Sequence, residues 1–66
     1  MDFNILVPFV EQAAALPENI REDETIDWDF VSADVWMDHG PHHKAPKTHH
    51  DAFQALLDVA IEAAAV

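Results

Sequence analysis

The stretch from Glu22 to Asp38 restricts this chain most. It holds seven carboxylates in seventeen residues and no Lys or Arg. A run of like charges normally repels itself and stays extended. Here the acids alternate with Ile26, Trp28, Phe30, Val31, Val35, Trp36 and Met37, which favour burial. The expectation is a folded element, greasy on one side and strongly negative on the other.

The rest of the chain sharpens that picture. Thirteen acids face only Arg21, Lys44 and Lys47, so the formal net charge is −10 on 66 residues. Such self-repulsion opposes compaction unless a partner or function uses the field. Half of the residues are hydrophobic, which places the chain outside the weakly apolar disordered class. No cysteine is present to staple a body this small. One acidic helical domain over residues 1–66 is expected, and a second copy could cover apolar surface left over. The acidic sign argues against direct binding of nucleic acid or anionic lipid, which are gripped by Lys and Arg. It favours a basic protein surface. No signal peptide or membrane span is read from the first residues, and the expected location is cytoplasmic.

The apolar spacing predicts a mainly α, three-helix fold with a His/Pro-rich loop. The first helix is read over residues 3–16, with Asp2 as cap and Pro17 as stop. Pro8 inside it requires either a kink or a start at Pro8, with Phe3–Val7 extended before it. This helix is apolar nearly all round and is expected to be central. Residues 17–24 read as a polar connection anchored by Ile20.

The second helix is read over 27–38. Trp28, Val31 and Val35 then share one side, and Phe30, Ala33 and Met37 another. The competing reading puts a strand at residues 26–31, followed by a helix capped by Ser32. Gly40, the only glycine, stands where a left-handed helix stop belongs, with Pro41 behind it. Residues 39–50 read as a loop. The third helix is read over 49–65, opened by a Thr48–Asp51 capping box. Its stripe is Phe53, Leu56, Leu57, Ala60, Ile61 and Ala64.

No catalytic signature is present. Ser32 is the only serine and lacks a nucleophile elbow, and one glycine cannot build a phosphate loop. The chain is therefore expected to be no enzyme and to need no cofactor. His39, His42, His43, His49 and His50 could supply metal ligands or a metal-responsive switch. Their spacing matches no named site. The plainer reading is a polar surface loop, whose five imidazoles could cancel half the charge on acidification.

The acidic segment remains as the site. In a helix Asp27, Asp34 and Asp38 fall within about 40° of one another, with roughly 6 Å between the last two. With Asp29 and Glu22, Asp23 and Glu24 this makes a negative ridge on the length scale of DNA phosphates. Trp36 could anchor the contact, since tryptophan is frequent at interface hot spots. The plainer readings are a solvated acidic face and a tryptophan in the core. A rival function is a small interaction subunit using the apolar face of helix 1 or helix 3, through Phe53 and Leu57.

A single, very acidic domain with carboxylates spread from Glu22 to Asp38 resembles the small inhibitors encoded by bacteriophages and mobile elements. These include anti-CRISPR proteins and other DNA mimics. The resemblance lies in overall character, not in an aligned motif. It implies a viral inhibitor, acting in the host cytoplasm, that blocks a nucleic-acid-binding protein such as a CRISPR effector complex.

Overall fold

The computed structural model describes residues 4–65. It is mainly helical, with α1 at Val7–Ala14, α2 at Trp28–His39 and α3 at Lys47–Ala65. A 3₁₀ turn at Pro17–Asn19 follows α1. The expected three-helix architecture is present.

Two prolines explain why α1 is shorter than residues 3–16. Pro8 lies in its first turn, where a missing N–H costs nothing. Leu16 turns extended ahead of Pro17, as a residue before proline tends to. The segment before α1 is a turn and not an extended arm. The Asn4 side chain accepts from the Leu6 amide at 2.9 Å and donates to the Leu56 carbonyl at 2.8 Å. That second bond ties the start of α1 to α3. The Asp2 cap and Phe3 lie outside the described residues.

Helix α1 lies between the other two. Leu6, Val10, Ala13 and Ala14 meet Val31 and Val35 of α2 and Leu57 and Ala60 of α3 in one core. Val10, Val31 and Leu57 are completely buried. Burying side chains of this size is worth roughly 1.5–3 kcal/mol each. Helices α2 and α3 touch more lightly, mainly through Trp36. Its ring meets Phe53 at 4.5 Å, and its Nε1 donates to Gln54 Oε1 at 3.1 Å. The body is flattened, 38 × 30 × 13 Å.

The connection between α1 and α2 folds back on itself. Ile20 and Ile26 form a single antiparallel bridge, and the Arg21 amide donates to the Thr25 carbonyl at 2.8 Å. This is the only extended pairing among the described residues, so the strand reading of 26–31 gives way to helix from Trp28. Ser32 caps nothing and sits inside α2, because Asp27 caps the helix through the Phe30 amide. Ile20 is exposed and does not anchor the connection. Asn19 takes that place.

Two further expectations change at the α2–α3 turn. Gly40 is extended, not left-handed, at φ −72° and ψ 164°. A Cβ there would press on the Trp36 carbonyl and lie 2.8 Å from its ring atom Cε3. Glycine is required by close approach, not by handedness. The loop is also shorter than residues 39–50. His39 ends α2, and His49 and His50 lie in α3. The Pro46 carbonyl accepts from the His49 amide at 2.9 Å, so α3 starts at Lys47 and Thr48 is already inside it. Asp51 pairs with Lys47 at 2.7 Å and closes no capping box.

Candidate protein-binding surface

The acidic residues divide into three groups around α2. Glu22, Asp23 and Glu24 form the exposed tip of the fold-back. Glu24 has φ 68°, in the left-handed region that side chains other than Gly, Asn and Asp rarely enter. The tip is held by the Glu24 amide donating to the Arg21 carbonyl at 2.9 Å. Asp23 accepts from the Thr25 hydroxyl and, at 3.1 Å, from the Thr25 amide. These two bonds hold its carboxyl below the usual carboxylate value, the hydroxyl contributing most. They favour the ionised form, so the tip is fixed at neutral pH. Their benefit is lost only as pH falls through that lowered value.

The second group lies where α2 meets α1. Asp34 accepts from Asn19 Nδ2 at 2.8 Å, and the same Nδ2 donates to the Ala13 carbonyl at 2.9 Å. Asn19 is only 3% exposed, and its Nδ2 serves both acceptors. Its backbone carbonyl takes the Asp27 amide at 2.8 Å. One buried amide therefore joins the end of α1, the 3₁₀ turn and the acidic helix. Sequence reasoning passed over it. The available signal was a single uncharged amide between Pro17 and the acid run, and turn asparagines favour bonds to nearby backbone. Beside it opens a groove of about 330 Å³, lined by Phe9, Gln12, Leu16, Glu18, Asp34, Asp38 and His39 among others. The His39 ring stacks on Phe9 at 3.7 Å.

Asp29 forms the third group. At 3.6 residues per turn it lies about 140° around α2 from Asp34 and about 180° from Asp38. It is exposed and stands apart from the groove. The seven acids therefore do not line up as one ridge. Asp27 has a structural task, capping α2 and pairing with Arg21 at 3.6 Å. Trp36 is half-buried against Phe53, Gln54 and His50, the last at 6.0 Å between rings. Those contacts place it between helices α2 and α3.

The histidines are distributed in the same way. His42 Nδ1 accepts from the Lys44 amide at 3.1 Å and its ring meets His43 at 4.2 Å. His50 Nδ1 lies 3.2 Å from the Pro46 carbonyl. Among the described residues no three His, Asp or Glu side chains come together in a way that could hold a metal ion.

The apolar faces of α1 and α3 are spent on the core. Leu57 is wholly buried and Phe53 half-buried. Of the two residues in the rival reading, Leu57 therefore offers no surface to a partner and Phe53 offers only part of its ring. Exposed large apolar side chains remain at Ile5, Leu16, Ile20 and Val59, and on the outer side of α2, where Phe30 is 60% and Met37 84% exposed. Among the described residues no helix is long and apolar enough to cross a membrane. No protein-family profile, curated protein or solved structure matches the chain.

Proposed function

We propose that this chain is a non-catalytic inhibitor that occupies a basic, nucleic-acid-holding surface of a partner protein, in the manner of anti-CRISPR proteins and other DNA mimics. One observation supports this reading above the others. Among the described residues only Asp27 and Asp51 lie in ion pairs, so the large acid surplus is left on the surface uncompensated. Carboxylates kept free in this way are disposed to meet Lys and Arg across an interface, and they speed encounter by steering. The mimicry is of charge density and not of phosphate register, because the acids surround α2 instead of following one line. The partner is a CRISPR effector complex or another nucleic-acid-binding protein of the host.

The test is competition. Immobilised protein is exposed to host lysate and washed at low and high salt, with and without a short DNA duplex. A partner carrying this surface is released by both salt and duplex, since each displaces carboxylates from Lys and Arg. A partner retained under both treatments would refute charge mimicry.

A further inference from the structure

Helix α2 is apolar on two opposite sides. Val31 and Val35 point into the core with 0% and 2% exposure. Phe30, Ala33 and Met37 point outward, all exposed. At i, i+3 and i+7 they form one strip about 60° wide and roughly 10 Å long. Nothing in the fold needs it, and large apolar groups left outside mark interaction sites when they are contiguous. Phe and Met are also among the residues enriched at protein interfaces.

The rim identifies the occupant. Asp29 lies about 40° from Ala33 on one side of the strip, and Asp34 about 40° from Phe30 on the other, with Asp38 beyond it. Asp34 is held in place by Asn19. Arg21, the cation nearest in sequence, is already engaged with Asp27. A second copy laid on this strip would set carboxylates against carboxylates, with −10 on each chain. Like charges brought together in this way oppose association.

We infer that the outer face of α2 is the anchor of the interface, with Phe30 and Met37 seated in an apolar depression of a protein partner whose rim carries Lys and Arg. This rests on the charge-based function proposed above and adds what that reading lacks, an apolar contact that fixes where on the partner the chain sits. The acids steer and orient, and the apolar strip slows dissociation.

Synthetic helical peptides serve as probes. One carries a Leu stripe flanked by Lys, a second has Gln for Leu with the same Lys, and a third keeps Leu but has Glu for Lys. Labelled peptide anisotropy with the full chain should show the Leu/Lys peptide binding at least about tenfold more tightly than the Gln/Lys peptide. Met37→Ser, at a site too exposed to affect folding, should remove much of that gap. Phe30→Ser with Met37→Ser should close it. Asp29→Asn with Asp38→Asn should weaken both Lys peptides and flatten their salt dependence. The inference is overturned if Met37→Ser and the double variant bind the Leu/Lys peptide like the parent. It is equally overturned if the Leu/Glu peptide binds as well, or if sedimentation shows a dimer that Met37→Ser dissolves. The two proposals fail separately: no binding of either Lys peptide defeats the charge reading, while equal binding of both defeats only the apolar anchor.

Discussion

Asn19 and Gly40 carry more of this structure than their size suggests. Asn19 is the one buried polar residue among those described, and it satisfies α1 and α2 together. Asn19→Ala leaves the Ala13 carbonyl and the Asp34 carboxylate without their shared donor. The carbonyl keeps the Leu16 amide at 3.2 Å, so urea unfolding should show a loss of about 1–3 kcal/mol, the worth of the two lost hydrogen bonds. A loss near zero would mean that water replaces the amide at no cost. At Gly40 the backbone angles suit any residue, so propensity alone predicts a neutral change. The neighbouring Trp36 predicts otherwise. Gly40→Ala should destabilise by about 1–3 kcal/mol through overpacking, with a shift in Trp36 fluorescence as the ring moves. Neither role was legible in the sequence. An asparagine in a polar connection and a glycine before a proline both have simpler local explanations, and only the packed neighbours reveal the real ones.

At the scale of elements, the apolar periodicity carried most of the information. The stripe from Phe53 to Ala64 marked α3, and Val31 with Val35 marked the inner side of α2. The helix starts were harder to read. Pro46 looked like part of a loop, although proline is well tolerated where a helix begins, and its carbonyl receives the first amides of α3. The acidic segment was legible as a helix but not as a surface. Its acids occur at spacings that place Asp34 beside Asp38 and Asp29 across from them, and the eye groups them by sequence proximity. The outward strip of Phe30, Ala33 and Met37 was visible as a shared side. Which of the two apolar sides faces the core could be decided only once α1 was in place.

The whole molecule must fold against its own charge. With −10 and only two ion pairs among the described residues, repulsion acts on the native state more than attraction stabilises it. Screening shortens the reach of that repulsion, to about 10 Å at 0.1 M salt and about 3 Å at 1 M. The melting temperature should therefore rise as sodium chloride is added, followed by circular dichroism at constant pH. A fall would show that the Arg21–Asp27 and Lys47–Asp51 pairs outweigh the repulsion. Opposite salt trends are thus expected for the free chain and for its complex, the first growing firmer as the second loosens.

The flattened outline sets how such a complex would be built. A body 38 Å by 30 Å but only 13 Å deep behaves less like a ball than like a tile. A ball touches a flat neighbour over a small cap, whereas a tile can cover a broad area with few residues.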